Sequence, residues 1–161
     1  MKSKLLQAQQ YNCAIATPLG KLGLTIVGSG LTGIQFLSSN ARLLAVQSPL
    51  ARKIVAAIKK YFCNPKLQFN FPIQAKGTPL QQKIWHALQT IPCGKTITYG
   101  ELAQKIGTSP RVVGNACRRN PIPIVIPCHR VVAKTMLGGY CGKTSNNFLK
   151  IKKWMLLHEY K

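Results

Sequence analysis

The sequence predicts an α+β fold: a small sheet-plus-helix module over residues 1–70, then a mainly helical domain over 77–161 containing a helix-turn-helix. Three observations carry this reading. Apolar residues alternate between positions 22 and 36, as in a half-buried sheet. Apolar residues then recur at helical spacing after Ser48. In the second half, two Thr-initiated capping boxes and a Gly-containing turn open short helices in succession.

Leu22, Leu24 and Ile26 alternate in one run and Ile34 and Phe36 in the next. Gly28-Ser29-Gly30 between them signals a hairpin. Ser48-Pro49 reads as an N-cap and first helical residue, followed by Leu50, Ile54, Val55, Ile58 and Phe62 on an apolar face. Asn64-Pro65 ends that helix. Thr78-Pro79-Leu80-Gln81 is a capping box, and Leu80, Ile84, Trp85 and Leu88 form the apolar face of the helix it starts. Pro92-Cys93-Gly94 breaks the pattern. Thr98-Tyr99-Gly100-Glu101 opens a helix running to about Ile106. Gly107-Thr108-Ser109-Pro110 turns the chain and caps another helix, from Arg111 to about Arg119. A last helix spans about 146–158, with Phe148, Ile151, Trp154 and Met155 facing inward.

Composition limits what such a chain can do. It has 161 residues, 46% of them hydrophobic, enough for a core despite the charge. No apolar run reaches the roughly 18 residues of a membrane span. The opening Met1-Lys2-Ser3-Lys4-Leu5-Leu6-Gln7 is basic, but Gln7, Gln9 and Gln10 interrupt it before a signal-peptide core forms. We therefore expect a soluble, cytoplasmic monomer. Lys and Arg total 23 against two carboxylates, Glu101 and Glu159, a net charge of +21. That excess suits a phosphate polyanion. An anionic membrane fits less well, because no helix opposes a basic face to a Trp/Phe/Leu face. A merely basic, ribosome-like bias is the remaining alternative. Six cysteines, at 13, 63, 93, 117, 128 and 141, show neither zinc spacing nor the secreted context of a disulfide framework. No metal or cofactor is expected.

The helix after Ser109 combines Arg111, Arg118 and Arg119 with the small or short residues Gly114, Asn115 and Ala116. Small residues allow close approach to a surface, and flanking arginines suit phosphates or a groove. A tightly packed interior helix with a solvated charged end is the alternative.

Chemistry points to Pro127-Cys128-His129-Arg130, which follows the apolar run 122–126. Only a thiolate is a strong nucleophile, so a useful cysteine needs a base nearby. A histidine acting as that base needs a third group to orient it. Glu101 is committed to its capping box, which leaves Glu159 as the partner for His129 by elimination. Alternatively, Arg130 pairs with Glu159 and leaves His129 idle.

The stretch Asn120-Pro121-Ile122-Pro123-Ile124-Val125-Ile126-Pro127-Cys128-His129-Arg130-Val131-Val132 resembles the active-site signature of the O6-alkylguanine-DNA alkyltransferases. The likeness continues upstream through 91–103 and downstream through Gly139-Tyr140 and Trp154 to Glu159, and touches Thr17-Pro18-Leu19-Gly20-Lys21-Leu22. It is dense in the second half and thin in the first. The resemblance implies an RNase H-like N-terminal module and a winged-helix C-terminal domain. It also implies a single-use repair protein that binds duplex DNA by its minor groove and flips an alkylated guanine, with alkylated thymine a further lesion.

By position, Cys128 is the alkyl acceptor, His129 the base acting through a water, and Glu159 its orienting carboxylate. Tyr99 polarises the leaving guanine at N3. Arg111 fills the gap left by the flipped base, while Gly114, Asn115, Ala116 and Arg118 lie on the DNA-binding helix. Asn120 holds the active-site turn, and Pro123, Val131, Tyr140 and Cys141 belong to the pocket. The chain departs from the family pattern in two places. The stretch from Tyr99 to Arg111 is about two residues short, and Cys141-Gly142-Lys143 replaces a small-Gly-Gly run before the extra residues Thr144-Ser145-Asn146-Asn147. The zinc ligands of some members' first module have no match. Two other classes remain: a Cys-His hydrolase on a basic scaffold, and a non-catalytic binder of alkylated DNA or transcriptional regulator.

Overall fold

The computed structural model describes residues 11–160, so the basic opening stretch discussed above lies outside the described residues. The chain begins with a three-stranded antiparallel meander: β1 (Cys13–Thr17), β2 (Gly20–Val27) and β3 (Gly30–Phe36), in the order β1-β2-β3. The alternation read at 22–36 produces β2 and β3, and Leu22 and Leu24 are fully buried. A register shift between Thr25 and Ile26 alters the parity of the facing strand, so Leu31 is buried as well. β1 was not foreseen. Its five residues contain two alanines and give little alternation to read.

Helix α1 (Pro49–Cys63) starts where expected, with Ser48 accepting a hydrogen bond from the Ala51 amide. Its buried face is Ala51, Ile54, Val55, Ile58 and Tyr61. Phe62, assigned to that face from sequence, is only half-buried, because positions 54, 58 and 61 fall closer to one helical line. An extended link follows and runs beside β3: the Leu31 amide donates to Pro72 O (3.0 Å) and the Gln74 amide to Leu31 O (2.8 Å).

Helix α2 (Pro79–Gln89) carries the expected capping box, with Thr78 and Gln81 bonding each other's backbone. Leu80, placed on its apolar face from sequence, is 42% exposed. As the second residue of the first turn it lies off the line of Ile84, Trp85 and Leu88, which are buried. The Trp85 indole N–H donates to Ala116 O (2.8 Å) and ties α2 to the fourth helix. Helix α3 (Tyr99–Ile106) begins with the second capping box, Thr98 with Glu101, and ends at Gly107 in the left-handed region (φ 80°). Ser109 then caps α4 (Pro110–Arg118). The two helices expected on either side of the Gly-containing turn are therefore present as α3 and α4.

Two short strands, β4 (Ile97–Thr98) and β5 (Val131–Val132), pair in parallel. This pairing sets the start of α3 beside the segment following Cys128. Helix α5 (Asn146–Tyr160) closes the molecule. It starts at Asn146, where the last helix was expected, so Asn146 and Asn147 of the extra residues form its first turn. One hydrophobic core runs from Leu22, Leu24 and Ile58 through Ile84 and Leu88 to Ile122, Val131 and Met155. Each such buried side chain contributes roughly 1.5–3 kcal/mol relative to exposure. Among the described residues no helix is long and apolar enough to cross a membrane.

Candidate active site

The segment from Asn120 to Arg130 is held by its own backbone and one side chain. Asn120 donates from Nδ2 to Ile126 O (2.8 Å), and its Oδ1 accepts from the Ile122 amide (3.0 Å). The Ile126 amide donates to Ile122 O (2.9 Å) and closes the loop. From outside, the Ile34 amide of β3 donates to Pro121 O (2.9 Å). Ile124 sits at φ 76°, a conformation that costs a β-branched residue about 1–3 kcal/mol and survives only where packing enforces it. Residues 122–129 are all buried, so the enforcement is complete. The loop delivers Cys128 and His129 on a single 3-10 turn, Cys128–Arg130.

Behind the thiol lies a buried cluster. His129 Nε2 is 2.7 Å from Glu159 Oε1, while Arg130 donates from Nε to Oε2 (2.8 Å) and from Nη2 to Oε1 (3.0 Å). Arg130 also donates from Nη1 to Ile91 O (2.6 Å). The two alternatives left open by the sequence therefore coexist: Glu159 binds both His129 and Arg130. Burial alone would raise the Glu159 pKa, but hydrogen bonds and charge from His129 and Arg130 hold it well below the carboxylate range. Burial depresses the His129 pKa despite the opposing pull of Glu159, so the imidazole is neutral at pH 7. Its Nδ1 is buried without a protein partner.

In front of the thiol is a cavity of 230 Å³. Its wall comes from Tyr99 at the start of α3, from Gly114, Cys117 and Arg118 of α4, from Cys128, and from the turn carrying Tyr140 and Cys141. A larger cavity of 570 Å³, bordered by Tyr61, Phe69, Cys93 and Arg130, does not include Cys128 in its wall. The cavity next to the chemistry is the smaller one. Tyr140 and Lys143 exchange backbone hydrogen bonds (2.9 Å each) around Cys141 (φ 50°) and Gly142 (φ 70°), a two-residue turn with both central φ values positive. The replaced segment thus folds back sharply and brings a second thiol to the cavity that Cys128 lines.

Cys128 is 3% exposed, yet its pKa is lowered. A hydrogen bond from the Cys141 thiol is the largest cause, opposed by burial and supported by Asn120 and by the charge of Lys152. Cys141 correspondingly keeps its proton, because donating to Cys128 and burial both push its pKa up. Tyr99 is pushed up to about 12 by burial and by the thiols Cys117 and Cys128, and stays a neutral donor.

Arg111, Asn115 and Arg118 lie on the exposed side of α4, and Gly114 faces the cavity, where an added Cβ would meet open space. Ala116 does not belong with them. It is 2% exposed and its carbonyl accepts from Trp85, so it faces the core and not a groove. Asn120, Pro123 and Val131 stand outside the cavity wall; Pro123 and Val131 are buried within the supporting loop and β5.

Three residues escaped the sequence analysis. Cys117 shares the cavity wall. Lys152 is fully buried on α5 and donates to Val131 O (2.7 Å) and Gly139 O (3.0 Å); burial lowers its pKa to about 8, against the pull of the nearby thiols. Its spacing from Met155 and Glu159 places it on their face, a signal that was present but polar. Tyr61 of α1 donates to Glu159 Oε1 (2.7 Å) from 98 residues away in sequence, and no local pattern announces that contact.

Known proteins of similar sequence and fold identify the family. The family model described as "6-O-methylguanine DNA methyltransferase, DNA binding domain" matches residues 79–161. A methylated-DNA–protein-cysteine methyltransferase of Mycobacterium leprae is 35% identical over 150 residues, covering 88% of this chain and 91% of that protein. The Mycobacterium tuberculosis O6-methylguanine methyltransferase structure superposes with a TM-score of 0.76 at 32% identity, covering 91% of this chain and 90% of that one. A Mycobacterium tuberculosis OGT in complex with DNA gives 0.72 at 34% identity, covering 92% and 98%. The chain belongs to the 6-O-methylguanine DNA methyltransferase family.

Proposed function

We propose that this protein repairs duplex DNA by moving the alkyl group of O6-alkylguanine, once and irreversibly, onto Cys128, and that O4-alkylthymine is a second substrate. The observation that carries the proposal is a thiol buried to 3% exposure that still has a lowered pKa and opens onto a cavity beneath an arginine-bearing helix. The Mycobacterium tuberculosis relative in complex with DNA supports the same partner. O6 lies within the base stack, so the base must be flipped into the cavity at a cost of a few kcal/mol.

Arg111 on the exposed side of α4 fills the space the base leaves, with Gly114, Asn115 and Arg118 against the minor groove. His129 accepts the Cys128 proton through a water at Nδ1, and Glu159 and Arg130 keep the ring oriented. The thiolate attacks the alkyl carbon in line; the S–C bond forms as the O6–C bond breaks. Tyr99 donates to N3 of the departing guanine, which finally takes up the proton held at His129. The thioether has no route back to a thiol, so each molecule acts once. On this reading residues 1–70 form an RNase H-like structural module and 77–161 a winged-helix domain, in a cytoplasmic monomer.

The test is to incubate the protein with duplex DNA containing O6-methylguanine and weigh the peptide bearing Cys128. One methyl per molecule is expected, and none with Cys128→Ala. Product formed over many turnovers without a mass gain would instead mean a hydrolase, and tight binding without transfer would mean a DNA-binding regulator.

A further inference from the structure

We infer that Tyr61, on α1 in the N-terminal part of the chain, is a positioning residue for alkyl transfer, holding the oxygen of Glu159 that binds His129. The inference rests on the reading of Cys128 and His129 given above. Tyr61 and Glu159 are 1% and 3% exposed, and the hydroxyl donates to Oε1 at 2.7 Å. The same oxygen faces His129 Nε2 at 2.7 Å and accepts from Arg130 Nη2 at 3.0 Å, and the other accepts from Arg130 Nε at 2.8 Å. A carboxylate offers about four acceptor directions, so this one is saturated. Its bonds come from two separate elements, α1 and the 3-10 turn, and together they prevent rotation of the carboxylate.

A buried tyrosine ordinarily needs an acceptor for its hydroxyl, and any carbonyl would serve. Two observations set Tyr61 apart from that ordinary role. The chain has only two carboxylates, and the hydroxyl meets the one that orients His129. Tyr61 also grips the preceding residue of α5, because its backbone carbonyl lies 2.9 Å from His158 Nε2. The ring is fixed by edge contacts with Phe62 (5.4 Å) and His158 (5.5 Å) and by Phe69 at 5.7 Å. One residue of α1 therefore sets both the height and the rotation of α5 where it presents Glu159. Phenylalanine would supply the packing but not the grip on the carboxylate.

Donation to Oε1 draws charge away from the His129 contact and keeps the imidazole less basic. The other groups facing this cluster are Arg130 from the 3-10 turn, Lys152 from α5, Cys93 from the loop after α2 and Tyr140 from the turn before α5. Without the hydroxyl, Oε1 binds the imidazolium more strongly and the carboxylate can rock about Arg130. A base that must be neutral to accept a thiol proton then fails at a higher pH.

Single-turnover transfer from duplex O6-methylguanine is measured across the pH range for Tyr61→Phe, Glu159→Gln and the double variant, together with duplex affinity. Tyr61→Phe is expected to slow transfer about 3- to 10-fold near neutral pH, less than the full worth of a bond to a charged group because the hydroxyl acts only through the carboxylate. Its acid limb moves to higher pH while DNA affinity is unchanged. Adding Tyr61→Phe to Glu159→Gln slows transfer no further, since the hydroxyl acts through the carboxylate. The inference is overturned by an unmoved rate and acid limb, by an equal loss in both backgrounds, or by a parallel loss of DNA affinity. Should Glu159→Gln itself leave the rate unchanged, the relay in the proposed function fails, and the role of Tyr61 with it. Where Tyr61→Phe melts too early to assay, 3-fluorotyrosine at position 61 keeps the ring and strengthens the donor. It should move the acid limb to lower pH, and an unmoved limb overturns the inference.

Discussion

A thiol sunk this deep in apolar surroundings would ordinarily keep its proton. At Cys128 that effect is opposed and the pKa is lowered, because its neighbours are donors or cations: Cys141, Asn120 and Lys152 all favour the thiolate. Cys141 contributes most, and it sits in the segment where the chain leaves the family pattern. Replacing it by alanine removes the S–H donor without adding charge. The Cys128 pKa should then rise, and the midpoint of the pH dependence of transfer should move to higher pH, with a slower rate at neutral pH. Cys141→Ser retains a donor and should preserve most of the rate. The measurement is single-turnover transfer against pH for both variants; an alanine profile superposing on the native one would remove Cys141 from the chemistry. Cys128 and His129 are neighbours in the chain but face different ways. The histidine turns its Nε2 to Glu159 behind the loop, and the thiol opens onto the cavity in front.

Among the elements, α5 supplies the buried charged groups behind the thiol, because Lys152 and Glu159 lie with Met155 on its buried face. Its far end rests on the turn after α2. Gly94 adopts φ 76°, and a Cβ there would come within 2.9 Å of the Glu159 carbonyl oxygen. Gly94→Ala therefore incurs left-handed strain and pushes against α5 at Glu159. We expect a loss of about 1–3 kcal/mol of stability by denaturant titration, with slower transfer and unchanged duplex affinity. A variant with native stability and rate would show that α5 can shift at no cost. The helices were legible in the sequence because their signals are local. Ser48, Thr78, Thr98 and Ser109 each cap the helix predicted for them. The faces were less legible: Leu80 projects into solvent and Tyr61 replaces Phe62 in the core, because a half-turn error in phase changes which residue meets the next element. The pairs β4 and β5 were invisible, being two residues each.

Over the whole molecule, charge is distributed with almost nothing to offset it. Glu159 is buried under Arg130 and His129, and Glu101 is spent on the Thr98 cap, so the cations of α4 face solvent without a carboxylate on their own helix. Duplex binding should therefore weaken steeply with salt, and Arg118→Ala should reduce the slope of log affinity against log salt by about 1. Fluorescence anisotropy on an unmodified duplex measures this; an unchanged slope would place Arg118 away from the phosphates. By itself the sequence determined the helices, singled out Cys128-His129 and, by scarcity, pointed to Glu159 as the carboxylate that meets His129, because caps and counts are properties of short segments and of composition. The tertiary structure alone decided that Tyr61 reaches Glu159, that Lys152 and Cys117 approach the thiol, and that Ala116 turns inward. Those contacts join segments far apart in the chain, and only the packing of α1, α4 and α5 around one core determines which of their side chains meet.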